Sequence, residues 1–261
     1  MHDRHTNRQR YFREQAQTTQ KYVIPYLQQV TPVTGESRIL EVGCGEGGNL
    51  MPFVEMGCEV IGVDINQGKI DKGNAIIKER APEANASLRH DNIYDLNETE
   101  IGTFDVIFLR DVIEHLPDQD RFFKHVQQFM KPTGVIFFGF PPWRMPFGGH
   151  QQICEGKILS KLPFFHLLPT PLYAMVLRAF GESDRVVNSL LEIKETGISI
   201  HRFNQLVRRN GFRFARQTYY FINPNYEIKF GLTPRVQTPL IAGIPHLRDF
   251  FITCYYSVIR R

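Results

Sequence analysis

Apolar residues along the chain cluster in short runs of strand length, separated by longer segments, several of which show the spacing of a helix. Five such runs follow one another, at residues 38–42, 59–63, 86–90, 104–109 and 135–140. Strands that alternate with helices at this interval are typical of a largely parallel sheet covered on both faces. The pattern therefore predicts an α/β fold.

The segment before the first run has a different pattern. Apolar residues between 11 and 30 recur at roughly helical spacing, which predicts an N-terminal helical segment within residues 1–35. Because 261 residues are too few for two large domains of equal size, residues 36–261 are expected to form one domain with insertions.

Two irregular stretches are expected to be those insertions. Residues 141–195 are rich in proline, glycine and aromatics and predict a cap inserted after the fifth strand, either packed as a helical hairpin or shaping an apolar substrate or lipid-facing surface. A second irregular insertion is expected at about 223–247. Between and after them, residues 199–209 predict a helix, and residues 212–221 and 250–259 predict the last two strands.

Composition and charge exclude several classes of protein. The chain has 31 Lys and Arg against 27 Asp and Glu, a formal charge of +4 without a dense basic cluster, so no nucleic-acid partner is expected. The four cysteines form no C-x-x-C pair, and no metal site is predicted. The first twenty residues lack an apolar core, and no later stretch is apolar enough to cross a bilayer, so a cytoplasmic location is expected, with peripheral membrane contact left open.

A glycine-rich loop follows the first run directly. Gly43 and Gly45 allow a tight turn and a close approach of the backbone to a ligand at the carboxyl end of a strand, where open α/β sheets bind cofactors. The same loop, with Gly48 and with Asp64 at the end of the second run, also satisfies the dinucleotide fingerprint. The loop alone does not distinguish the two kinds of cofactor.

Three further features favour one of them. Glu41 places a carboxylate at the loop, where it would repel a pyrophosphate but suits a cofactor with an ammonium and a sulfonium group. Asp91, Asn92 and Ile93 follow the third run and offer a carboxylate, an amide and an apolar contact for an adenine. Residues 105–116 end the fourth run at the same edge of the sheet.

Together these motifs resemble the class I S-adenosylmethionine-dependent methyltransferases, and within that family they are similar to the small-molecule O- and C-methyltransferases, such as those of ubiquinone biosynthesis. The resemblance covers roughly residues 38–140. It implies a Rossmann-like fold with a seven-stranded, mostly parallel sheet whose last strand is antiparallel. It also implies S-adenosyl-L-methionine as the cofactor.

The resemblance implies the roles of individual residues. The backbone of Gly43 to Gly45 would surround the methionine part, Asp64 would bind the ribose hydroxyls, and the backbone near Arg110 would bind the amino group. Ile65 would contact the adenine ring and Asp91 its amine. The complete set expected at the cofactor is Glu41, Gly43, Cys44, Gly45, Asn49, Asp64, Ile65, Asp91, Asn92, Ile93, Arg110, Asp111 and His115.

The acceptor is expected to be a small molecule methylated on oxygen. The reaction is an in-line displacement with a good leaving group, so a general base helps but is not obligatory. His150, just after the fifth run, is the candidate base, and the alternative is a histidine fixed by a backbone carbonyl. Two other functions stay open from the sequence, an NAD(P)-dependent oxidoreductase and a non-catalytic module that binds an adenosyl ligand.

Overall fold

A largely parallel sheet forms the centre of the structure, a computed structural model that describes residues 8–261. Its eight strands lie in the order β3-β2-β1-β4-β5-β8-β6-β7. They are β1 (Arg38–Val42), β2 (Glu59–Asp64), β3 (Ala86–His90), β4 (Phe104–Arg110), β5 (Met130–Phe140), β6 (Arg213–Ile222), β7 (Arg235–Val236) and β8 (Cys254–Arg260). Strands β1 to β5 are parallel, and β8 is antiparallel to both of its neighbours, β5 and β6.

The predicted fold class is therefore confirmed, including the antiparallel last strand. The sheet has one strand more than expected, because the two-residue β7 pairs with β6 inside the second irregular stretch. The strand expected at 250–259 begins only at Cys254, since Arg248–Phe251 form a 3₁₀ turn. The fifth strand begins earlier than expected, at Met130, which pairs with Phe104 across a register shift.

Helices cover the sheet on both faces. They are α1 (Arg8–Thr18), α2 (Ile24–Leu27), α3 (Met51–Glu55), α4 (Gln67–Arg80), α5 (Glu98–Ile101), α6 (Gln119–Val126), α7 (Thr170–Ala179), α8 (Asp184–Thr196), α9 (Ile200–Arg209), α10 (Asn225–Phe230) and α11 (Pro239–Ala242). A π-helical turn, Thr19–Val23, joins α1 to α2. Residues 1–7 of the expected N-terminal segment lie outside the described residues.

The side chains of β4 alternate between two hydrophobic cores, one on each face of the sheet. Successive side chains of a strand point to opposite faces. Leu109 belongs to the core that includes Phe123 of α6, whereas Phe108 belongs to the core that includes Phe12 of α1 and Phe53 of α3. The alternation in one strand thus attaches α1 and α3 to one face and α6 to the other.

Residues after β5 form a small core of their own. Helices α7 and α8 enclose the buried side chains Cys154, Leu159, Phe165, Tyr173, Leu177, Val187 and Leu190. Met175 and Phe180 stay 58% and 53% exposed. Within residues 8–261 there is no helix with the length and apolar character needed to span a bilayer. Contact of this surface with a lipid headgroup layer, like the domain boundaries, stays a prediction.

A buried histidine holds this cap together. The Nε2–H of His166 donates to the carbonyl oxygen of Trp143 at 2.8 Å, and its Nδ1 accepts from the Gln151 amide at 3.2 Å. Burial lowers the pKa of His166 from 6.5 to about 4, and the charge of Lys194 adds to the effect. The ring is therefore neutral in the folded protein at neutral pH.

We expect His166 to make the cap sensitive to acid. Above about pH 6.5 the ring is neutral in the folded and unfolded states, but as the pH falls toward about 4 only the unfolded chain binds the proton, so stability is lost. Between about pH 7 and about pH 5, the free energy of unfolding should fall about 2 kcal/mol less in His166→Gln than in the wild type. Urea unfolding at both pH values measures it. An equal loss in both proteins would contradict this account, and the exposed His246→Asn serves as control.

Candidate active site

The glycine-rich loop is built by strand pairing and positive φ angles. The N–H groups of Gly43 and Cys44 both donate to the Val63 carbonyl, at 2.7 and 3.1 Å. Gly43 and Gly45 have φ of 75° and 57°, in the left-handed region that favours glycine. A Cβ at Gly43 would lie 2.6 Å from a methyl of Val112, whereas one at Gly45 would meet only Lys69, at 3.8 Å. The loop thus has no space for a side chain at Gly43, where it packs on the residues after β4, but it has open space at Gly45.

Gly48 has a different role from the one that the fingerprint suggests. A Cβ there would lie 2.6 Å from the Gln15 side-chain oxygen and 2.9 Å from the Phe12 carbonyl. Glycine at this position therefore lets helix α1 pack directly on the loop. No local pattern predicts this contact, because α1 is distant from Gly48 in the chain and its spacing indicates only a helix.

A buried polar network fixes the loop to β4. The Asn49 amide donates to Glu41 Oε1 at 2.7 Å, and its oxygen accepts from Arg110 Nη1 at 2.9 Å and from the Thr19 hydroxyl at 3.3 Å. Glu41 is fully buried, and its Oε2 has no hydrogen-bond partner among residues 8–261. Burial raises the pKa of Glu41 well above its usual range, which the Asn49 bond and the charge of Arg110 oppose.

Asp64 stands at the open side of the loop. Its two carboxylate oxygens accept from the backbone N–H groups of Gly45 and Asn66, each at 2.8 Å. The next residue, Ile65, is 75% exposed. A carboxylate and an apolar side chain thus lie beside the open space at Gly45.

Other residues expected at the cofactor already have partners within the protein. Asp91 forms an ion pair with Arg89 at 2.7 Å, and Asn92 accepts the Tyr94 N–H at 3.2 Å. The side chains of Ile93 and Cys44 are buried in the two cores. Their contacts with a cofactor stay predictions.

The chain leaves β4 in a strained conformation. Asp111 has φ of 56°, a left-handed value that costs about 1–3 kcal/mol for a residue other than glycine. Its N–H donates to the Gly139 carbonyl at 2.8 Å, which continues the pairing of β4 with β5. The carboxylate of Asp111 stays 46% exposed at the same edge as the glycine loop. Strain of this kind is concentrated at functional sites.

Two histidines meet at this edge. The rings of His115 and His150 contact each other edge to face, with centroids 5.0 Å apart. The His150 ring thus contacts another imidazole. Within the cap, the histidine whose ring is bonded to a backbone carbonyl is His166. Burial lowers the pKa of His150 to about 4, and His115 adds to this while Asp111 opposes it. Burial lowers the pKa of His115 as well.

Comparisons with known proteins find related sequences. A family model described as a methyltransferase domain matches residues 9–153. A ubiquinone biosynthesis O-methyltransferase of Mesorhizobium japonicum is 35% identical over 107 residues, 38% of this chain and 39% of that protein. One of Acinetobacter baumannii is 28% identical over 196 residues, 74% of each chain. The chain spans about two fifths of the length of the first curated relatives that it matches.

Solved structures share the fold at low identity. A putative sarcosine dimethylglycine methyltransferase from Galdieria sulphuraria superposes with a TM-score of 0.60 at 14% identity, covering 93% of this chain and 84% of that one. An S-adenosylmethionine-dependent methyltransferase from Mesorhizobium loti has a TM-score of 0.54 at 16% identity, covering 91% and 96%. At this identity the likeness establishes the fold alone.

We expect Gly43→Ala to destabilise the protein more than its φ angle explains. The matched control is Gly211→Ala, where φ is 80° but nothing lies within 4 Å of the added Cβ. The control should lose about 1 kcal/mol of unfolding free energy, and Gly43→Ala about 1–3 kcal/mol more, because its Cβ overlaps Val112. Adding Val112→Ala should recover part of the extra loss. Denaturant unfolding measures all four proteins, and equal losses for the two glycine variants would refute the packing role of Gly43.

Proposed function

The chain belongs to the class I S-adenosylmethionine-dependent methyltransferases, as its sequence resemblance predicts, and from this premise we propose that it methylates an oxygen atom of a small-molecule acceptor. The nicotinamide alternative rested only on the glycine pattern and Asp64, which this family shares. The observation that carries the proposal is the placement of the glycine loop and the histidine pair at one sheet edge. Val112, which packs against Gly43, lies only three residues before His115.

The residues at the loop fit an adenosyl cofactor. Open space at Gly45 leaves room for the ligand, and Asp64 offers carboxylate lone pairs beside it for the ribose hydroxyls. Ile65 offers an apolar surface for the adenine. Glu41 lies behind the loop, where it is hydrogen-bonded to Asn49 and burial raises its pKa. When bound, S-adenosylmethionine supplies a methyl group activated by its sulfonium.

The remaining task of the protein is to align the acceptor and exclude water. Helix α1 covers the loop from one side, through the contacts at Gly48. The end of the cap is bonded to the chain that follows β4, because the Thr196 hydroxyl donates to the Glu114 carbonyl at 2.6 Å and the Gln119 amide donates to the Thr196 carbonyl at 2.6 Å. The acceptor would enter between the cap and the sheet edge.

An oxygen acceptor is favoured by the imidazoles. A hydroxyl must lose its proton when it becomes a methyl ether, and His150 lies where it could assist that loss. The relatives named as O-methyltransferases support the same choice of atom.

Cofactor binding provides the first test. S-adenosylhomocysteine at about 100 times its dissociation constant should stabilise the wild type by roughly 2.7 kcal/mol, and NAD should not. Asp64→Ala should weaken its binding at least about tenfold, because the variant loses the charged acceptor beside the loop. Calorimetric titration measures the affinity, and the control is Asp71→Ala, an exposed carboxylate on α4. Stabilisation by NAD alone, or full affinity in Asp64→Ala, would contradict the proposal.

Methyl transfer provides the second test. The most rapidly methylated member of a panel of hydroxylated aromatic acids serves as acceptor. His150→Asn should lower kcat by about 100-fold or more while the affinity for S-adenosylhomocysteine stays unchanged. Asparagine tolerates the left-handed φ of 55°, and His246→Asn, at φ of 65°, is the matched control with unchanged kcat. Normal turnover in His150→Asn would remove this residue from the reaction.

A further inference from the structure

Three side chains at the acceptor side of the site lie close enough to share one ligand. One donor atom each from Glu114, His115 and His150 falls within 4.8 Å of the others. We propose that these residues, the Glu-His-His cluster, bind a divalent transition-metal ion. No metal site was expected from the sequence, because its cysteines lack a metal-binding spacing and none of these three residues is a cysteine.

The buried carboxylate of Glu114 provides the strongest reason to propose a bound ion. Its side chain is 5% exposed, and neither carboxylate oxygen has a hydrogen-bond partner among residues 8–261. Buried polar atoms in folded proteins almost always have a partner, because an unmet one costs free energy. Oε1 instead lies 4.0 Å from Nε2 of His115, and thus faces the imidazoles. A cation between them would give the carboxylate the partner that the protein does not supply.

The two imidazoles complete a typical donor set. Their rings are nearly perpendicular, at 89°, and the side chain of His115 is 40% exposed. His150 is held in place with φ of 55°, a conformation that needs support from its surroundings. The nearby carboxylate of Asp111, also at a strained φ, adds negative charge to the same edge. The backbone thus fixes both chain segments that carry the donors.

The donor types indicate which ions fit. Imidazole nitrogen and carboxylate oxygen bind Zn²⁺ at about 2.0–2.2 Å in tetrahedral geometry, so two donors of one ion lie about 3.4 Å apart. The donor atoms of the cluster, which lie within 4.8 Å of one another, would have to move closer by about 1 Å through rotation of their side chains. Two imidazoles and one carboxylate suit Zn²⁺ or Mn²⁺ better than Mg²⁺ or Ca²⁺, which prefer oxygen alone. Three protein ligands also leave an open position, as in catalytic sites.

The open position suggests a role that rests on the proposed function. An ion there would lower the pKa of an acceptor hydroxyl bound to it, so that the proton leaves to solvent. The oxygen then forms a bond to the methyl carbon while the carbon–sulfur bond breaks and its electron pair stays on sulfur. His150 would in that case act as a ligand of the ion, and not as the base itself. Binding of the ion, by contrast, does not depend on the reaction.

Calorimetric titration with Zn²⁺ and with Mn²⁺ tests the site. The full chain is first freed of metal with a chelator, and no cofactor or acceptor is present. The variants are His150→Asn and Glu114→Gln, and the matched control is His246→Asn, which removes an imidazole from another left-handed position. Glu114→Gln keeps the size of the buried group, so it serves even if one histidine variant folds poorly. His2 and His5 are present in every protein and cancel in the comparison.

We expect one of these ions to bind the wild type and His246→Asn equally, and His150→Asn and Glu114→Gln at least about tenfold more weakly. No binding to the wild type, or equal binding to all four proteins, would overturn the site. Titration of S-adenosylhomocysteine in the same samples separates the two proposals. If the ion binds as expected but the adenosyl ligand does not, the proposed function fails while the ion site stands. If only the ion fails to bind, the ion site fails alone.

Discussion

A carboxylate buried at the end of the first strand constrains the whole functional edge. Glu41 reaches the Arg110 guanidinium only through the Asn49 amide, so β1, the glycine loop and β4 are fastened by one chain of polar contacts. Leaving a buried charge without its partner costs about 3–5 kcal/mol, and the members of such a network therefore depend on one another. Thr19 joins the network from the turn after α1 and brings the N-terminal helix onto the loop.

The cofactor and acceptor halves of the site share one short segment. Residues 110–115 begin with Arg110, contact the loop through Val112 and end at the histidine pair. The cap is bonded to the same segment at the Glu114 carbonyl. A shift of the loop would therefore move the acceptor side as well, which suits a reaction that depends on alignment of two ligands. The strained φ of Asp111 lies in the middle of this segment.

Sequence periodicity was sufficient for the parallel half of the fold, because the strands there, such as β4, are short runs rich in apolar residues that alternate with helical segments. The tight turn at Gly43 was also predictable, since a positive φ favours glycine locally, whereas the binding of a ribose by Asp64 stays a prediction. The packing role of Gly48 and the short strand β7 depend on contacts between distant segments, which local patterns do not encode. The same holds for the Glu-His-His cluster, whose members come from the segments that follow two neighbouring strands, β4 and β5.

A crystal structure with bound S-adenosylhomocysteine tests the central claim most directly, that the edge organised by Glu41 and Arg110 is the cofactor site. We predict that the ribose hydroxyls contact Asp64, that the ligand passes over Gly45, and that its sulfur points toward His115 and His150. The Glu41–Asn49–Arg110 network should be unchanged in the complex. A ligand bound elsewhere on the protein, or with its sulfur directed away from the histidine pair, would contradict the account.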